Sequence, residues 1–142
     1  MTGGNMHVDG GCHCGSIKYE ADIDPDAVGL CHCTDCQVIS GSAFRIVVQV
    51  PKEKFRMLGK APKIYTKTAD SGTRRHQAFC PECGTSVYAT AAVDDPPIYG
   101  LRVGNLRQRT ELKPTRQIWC RSRMSWLPEL PGLASFPKAP PA

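Results

Sequence analysis

The sequence predicts an all-β fold: one domain built from short antiparallel strands in packed sheets. Two observations carry this. Thirteen glycines and twelve prolines among 142 residues exceed average usage and favour a turn-rich β protein over a helical bundle. Between those turn residues, short apolar or alternating segments follow one another along the chain, the pattern of an all-β architecture. A chain of this length supports one modest core.

Taken in order, residues 1–9 read as a flexible leader, 10–127 as the folded domain and 128–142 as a Pro-rich tail without a core of its own. Ile17, Tyr19, Ala21 and Ile23 alternate with polar residues, as in a half-buried strand. Asp24-Pro25-Asp26 is a turn, and Val28 to Cys33 forms the next strand. Thr34 to Ile39 suits a short helical turn before Ser40-Gly41-Ser42. Phe44 to Val50 is β-branched and apolar, and Pro51 ends it. Strands follow at Phe55–Leu58 and Lys63–Thr66, then a polar loop from Thr68 to Thr73. Arg75 to Phe79 leads into a turn at Cys80-Pro81-Glu82-Cys83-Gly84. Ser86–Ala89 and Ile98–Val103 are further strands, and Ile118-Trp119 is a last short one.

Composition narrows the function. No apolar run approaches the roughly 18–20 residues of a membrane span, and residues 1–10 lack the apolar core of a secretory signal. A cytoplasmic location is expected, where thiols stay reduced. The formal charge is +5. Seven cysteine thiolates holding two divalent ions would lower it by three, to +2. With no basic run and 7% aromatics, little supports nucleic-acid binding. The expected partners are small molecules, with neither nucleic acid nor membrane; the oligomeric state is open.

The cysteines carry the chemistry. Cys12/Cys14, Cys31/Cys33/Cys36 and Cys80/Cys83 have the tight spacing of metal ligands rather than disulfides. Three thiolates converging from Cys31, Cys33 and Cys36 suit zinc, and three protein ligands leave a position open for water or substrate. Joining Cys12/Cys14 to Cys80/Cys83 would make a closed four-cysteine site. Spacing alone leaves a rival open, Cys12/Cys14 with Cys31/Cys33. His13 and His32 each sit between two cysteines and so face away from them in an extended strand. Asp35 could orient a water beside the open site or be a solvated carboxylate. Cys120 belongs to no pair and reads as a buried, inert thiol.

Gly11-Cys12-x-Cys14-Gly15, Cys31-His32-Cys33-x-x-Cys36, Gly41 and Phe79-Cys80-x-x-Cys83-Gly84 together resemble the glutathione-dependent formaldehyde-activating family. That family includes S-(hydroxymethyl)glutathione synthase and centromere protein V. The segment Lys113-Pro114…Ile118-Trp119…Ser122-Arg123…Trp126 looks like its closing segment. The resemblance implies a zinc-bound fold of the β-tent type, with a structural zinc on Cys12, Cys14, Cys80 and Cys83 and a catalytic zinc on Cys31, Cys33 and Cys36. Two departures stand out. Gln37 follows Cys36 where the family often has Arg, and Gly104-Asn105-Leu106-Arg107 stands where it reads Gly-x-Leu-Asp.

The implied reaction is reversible addition of the glutathione thiol to formaldehyde, giving S-(hydroxymethyl)glutathione: a zinc-dependent carbon–sulfur lyase. A zinc already holding three thiolates is a weak Lewis acid, so thiol binding is the preferred role of the metal. Glutathione carries two carboxylates, and Arg74, Arg75, Arg121 and Arg123 are charge-matched anchors or else solvated arginines. Trp126 could wall the site or pack on the surface. The alternatives are a non-catalytic, zinc-stabilised carrier of glutathione or its adduct, an interaction module, or a lyase acting on another thiol adduct.

Overall fold

The computed structural model describes residues 5–141. Its strands form two sheets, as the turn-rich composition predicted. The smaller contains β1 (Met6–Gly11), β2 (Lys18–Ile23) and β5 (Phe55–Met57), in that order. The larger has seven strands. Across it run β10 (Arg116–Ile118), β3 (Val28–Cys31), β4 (Arg45–Pro51), β9 (Ile98–Arg102), β8 (Ser86–Ala91), β7 (Arg74–Phe79) and β6 (Lys63–Thr68). Neighbours are antiparallel except β10 and β3. Among the described residues there is one α-helix, α1 (Thr34–Ser40), and no helix long and apolar enough to cross a membrane.

The core lies between the sheets. Tyr19 and Ala21 of β2 and Val8 of β1 face Val48 and Val50 of β4 and Leu101 of β9, all essentially inaccessible to water. An aromatic group completes it: Phe55 lies 4.6 Å from Tyr99, 5.6 Å from Tyr19 and 5.7 Å from Tyr88, measured between ring centroids. Such tilted and edge-on pairs add to the burial of the rings themselves. Side chains alternate along a strand. Arg45, Val47 and Gln49 therefore share the face of β4 that turns away from this core.

Two expectations are corrected here. The leader ends earlier than residue 9: Met6–Gly11 is a full strand, in register with β2 from Met6 opposite Ile23 to Gly11 opposite Lys18. It is held by the buried Val8 and by close backbone approach at its end, where a Cβ on Gly11 would come within 2.3 Å of the Ile17 carbonyl oxygen. Residues 1–4 lie outside the described part. The strand expected over Val28–Cys33 stops at Cys31, because Cys33 takes the N-cap of α1. Beyond Trp126, a 3₁₀ segment at Leu127–Gly132 is followed by exposed residues without helix or strand.

Candidate metal centres and the groove beside them

The β1–β2 turn and the β7–β8 turn bring Cys12, Cys14, Cys80 and Cys83 together, with all four sulfurs within 4.8 Å of one another. The structure thus brings these two pairs together and leaves Cys31 and Cys33 in a separate group with Cys36. Each turn owes its shape to a glycine with positive φ, Gly15 at 85° and Gly84 at 80°, a conformation other residues resist. The sulfurs are also clothed in donors. The Ile17 amide meets Cys12 Sγ at 3.2 Å and the Glu82 amide meets Cys80 Sγ at 3.4 Å. The Ser16 hydroxyl sits 3.2 Å from Cys14 Sγ and 3.4 Å from Cys80 Sγ. Hydrogen bonds from the Thr85 hydroxyl and amide hold the Cys83 thiol down to about 5. Donors aimed at sulfur favour thiolate over thiol.

This donor set fits zinc. Tetrahedral coordination with Zn–S bonds of about 2.3 Å requires sulfurs roughly 3.8 Å apart. Cys12 and Cys14 are separated by 3.5 Å, Cys14 and Cys80 by 3.7 Å. All eight cysteines are free thiols, and this cluster could hold a metal ion.

The second cluster, Cys31, Cys33 and Cys36, also has its sulfurs within 4.8 Å, and no fourth metal-ligating side chain joins it among the described residues. It forms where β3 gives way to α1. Cys31 ends the strand, Cys33 caps the helix by accepting the Cys36 amide at 3.3 Å, and Cys36 lies in the first turn. A hydrogen bond with Cys36 holds the Cys31 thiol down to about 5 against the cost of its burial, and the Arg45 charge acts the same way. Cys36, the partner that keeps the proton, is pushed up.

Cys33 opens onto a groove of about 700 Å³. Asp35, Lys67, Arg75, Trp119 and Arg121 line it. The sequence-derived anchors therefore divide. Arg75 and Arg121 face the groove. Arg74, one residue out of phase on β7, does not, and neither do Arg123 and Trp126. Trp119 stands where Trp126 was expected. It is the one non-glycine residue with positive φ among those described, and this kink ends β10 and turns the 119–122 segment towards the groove.

Other expectations fare variously. His32 is buried outside the cluster, its Nε2 2.9 Å from Gln117 Oε1. Cys120 is exposed rather than buried, since it sits in the 3₁₀ turn that follows Trp119. Gln37 donates to the carbonyls of both His32 (3.0 Å) and Ser122 (2.9 Å), fastening α1 to that same segment. Arg107 makes an exposed ion pair with Asp9 on β1, on the other sheet from the three-cysteine cluster.

Sequence reasoning missed Lys67 and a buried trio, Arg45, Gln77 and Arg102. Arg45 sits opposite Cys31 in the β3–β4 register. Burial lowers the Arg102 guanidinium to about 9, and the neighbouring Arg45 charge adds to the effect. The available signal was a charged residue at either end of an apolar strand.

Residues 7–122 match the sequence profile of the family described as glutathione-dependent formaldehyde-activating enzyme. The chain belongs to that family. A protein of Fusarium vanettenii provisionally named for this activity is 26% identical over 101 residues, covering 68% of this chain and 53% of its own length. One from Penicillium rubens, named in the same way, is 28% identical over 101 residues, covering 68% and 52%. The chain thus spans about half the length of the curated relatives it matches. A crystal structure of a Rhodobacter sphaeroides protein superposes with a TM-score of 0.59 at 20% identity, covering 77% of this chain and 98% of that one. That likeness establishes the fold.

Proposed function

We propose that this chain is a zinc-dependent enzyme of the carbon–sulfur lyase type that joins glutathione and formaldehyde to S-(hydroxymethyl)glutathione. In that reaction the thiol sulfur bonds to the carbonyl carbon and the thiol proton passes to the carbonyl oxygen, with no change of oxidation state. The observation that carries the reading is a three-sulfur cluster, short of one ligand, at the wall of a groove lined by cations. Cys31, Cys33 and Cys36 would hold the zinc of the open site, and Cys12, Cys14, Cys80 and Cys83 that of the closed one. Zinc, when bound with a free position, supplies acidification of a thiol at neutral pH.

The protein's own side chains do the rest. Lys67, Arg75 and Arg121 complement the two carboxylates of glutathione, and Asp70 on the same groove complements its ammonium group. Trp119 offers an apolar wall. A groove of about 700 Å³ is within the size of small-molecule sites, roughly 300–1,000 Å³. Such a role calls for reduced thiols, as in the cytoplasm.

The test is calorimetric titration of glutathione into protein of known zinc content, repeated with Cys33→Ser and followed by the rate of adduct formation. Binding lost in the variant, with saturable acceleration in the parent, supports the enzyme. Binding without acceleration would make it a carrier. No binding to fully loaded protein would overturn the glutathione assignment.

A further inference from the structure

Two guanidinium groups are buried on the sheet face that carries Cys31. Arg45 is 6% exposed and Arg102 is 8% exposed. Both donate to one neutral acceptor, Oε1 of Gln77, at 3.4 Å from Arg45 Nη1 and 2.9 Å from Arg102 Nη2. Gln77 is itself 5% exposed. Arg102 has one further bond, from Nη1 to the Gly100 carbonyl at 3.4 Å. Among the described residues no carboxylate pairs with either arginine. Arg45 Nη2 and Arg102 Nε are buried with no partner at all.

Buried charges are normally paired, and buried donors are normally satisfied. The three-cysteine cluster balances only part of this charge. Three thiolates around a divalent ion leave one negative charge, against two positive charges here. One guanidinium charge and two donors therefore remain for a monoanion. Beside the two arginines lies a cavity of about 280 Å³, lined by Arg45, Arg102, Phe44, Ile39 and Ser40 but not by Gln77 or the three cysteines, and a ligand there must shift a side chain to reach the two closed-off nitrogens. Gly84 and Gly104 also border it, and a Cβ on either would meet no atom within 4 Å.

We propose that Arg45, Gln77 and Arg102 form a buried carboxylate site beside the three-cysteine cluster, used by a carboxylate of one of the two compounds that react there. The site stands without the thiol-addition reading; only the carrier of the carboxylate rests on that reading. Formaldehyde has no carboxylate. The group therefore belongs either to glutathione or to a carboxylate-bearing aldehyde such as glyoxylate in formaldehyde's place. With glyoxylate the balance is the same: sulfur bonds to the aldehyde carbon and the thiol proton goes to its oxygen.

The probe is sodium formate, titrated into zinc-loaded protein against sodium chloride at matched ionic strength, with the melting temperature as readout. Formate is expected to raise it saturably above the chloride control. Arg102→Met should abolish that response, and Arg107→Met, on the side of the other sheet, should keep it. Because Arg102→Met removes a buried group, Gln77→Glu provides a second test. It places a carboxylate between the guanidiniums, so the variant should melt higher than the parent and ignore formate. A formate response no different from chloride, or one that survives Gln77→Glu, overturns the site. Competition then identifies the carrier. About tenfold weaker glutathione binding in saturating formate assigns the site to glutathione. Unchanged glutathione binding with inhibited glyoxylate addition assigns it to the aldehyde. If formate binds but affects neither, the site is not a substrate site and that part of the proposal fails.

Discussion

Lys67 Nζ donates to Asp35 Oδ2 at 2.7 Å, joining the outer strand of the large sheet to the first turn of α1. The bond runs between two walls of the groove next to Cys33. It also means that one of the three groove cations is already matched by an acid, before any ligand arrives.

The first prediction follows from that pairing. Lys67→Met should weaken glutathione binding by about tenfold, a loss of roughly 1.4 kcal/mol. Asp35→Asn, which frees the ammonium for the ligand, should strengthen binding about two- to threefold, within the usual worth of a partly exposed pair. Calorimetry at two salt concentrations checks both, and the Asp35→Asn gain should shrink at the higher salt.

Cys80→Ser removes a ligand from the cluster that ties the two sheets together. Bound zinc should fall from two equivalents to about one, and the melting temperature should drop by roughly 10 °C if about 3 kcal/mol is lost. Metal analysis and a thermal scan measure these separately.

Cys33→Ser should behave differently. Serine is a good N-cap, so α1 keeps its first hydrogen bond and the melting temperature should move by only a few degrees. Zinc again falls by about one equivalent, but here glutathione binding disappears. A pair of variants with equal metal loss and opposite effects on stability and binding would separate the two clusters.

Gln37→Ala cuts the side-chain bond that holds the 119–122 segment to α1, at the Ser122 carbonyl, and the second bond to the His32 carbonyl. We expect a loss of about 1–2 kcal/mol in denaturant unfolding and weaker glutathione binding, because Trp119 and Arg121 lose their anchor. Thr115→Ala, which also loses side-chain bonds to backbone carbonyls but away from the groove, should lower stability without changing binding.

Much of this molecule was legible in its sequence because cysteine spacing and turn residues act locally. The three-cysteine cluster, each half of the four-cysteine one and most strands depend on neighbours a few positions apart. What escaped depends on partners far along the chain. Met6–Gly11 has no strong strand pattern and gains its place from β2 and from the close approach at Gly11. Lys67 and Trp119 become groove residues only once β6 and the chain after β10 converge on α1. Arg45 and Gln77 are 32 positions apart, and nothing near either one foretells their meeting. Arginine-to-carboxylate complementarity picked out Arg75 and Arg121 but also Arg74 and Arg123, since charge alone says nothing of phase along a strand.

The closed cluster joins Cys14 to Cys80, 66 positions apart in the chain, and the whole Cys31–Cys36 segment lies inside that span. Closing so long a loop costs conformational entropy before any strand pairing rewards it. A metal captured there would settle that cost once for everything the loop contains. Assembly would then have an order: the closed cluster loads first and the open one second, on a strand end and helix cap already fixed in place. Where zinc is scarce, the reactive centre would therefore empty first, leaving a chain that keeps its architecture but stands idle.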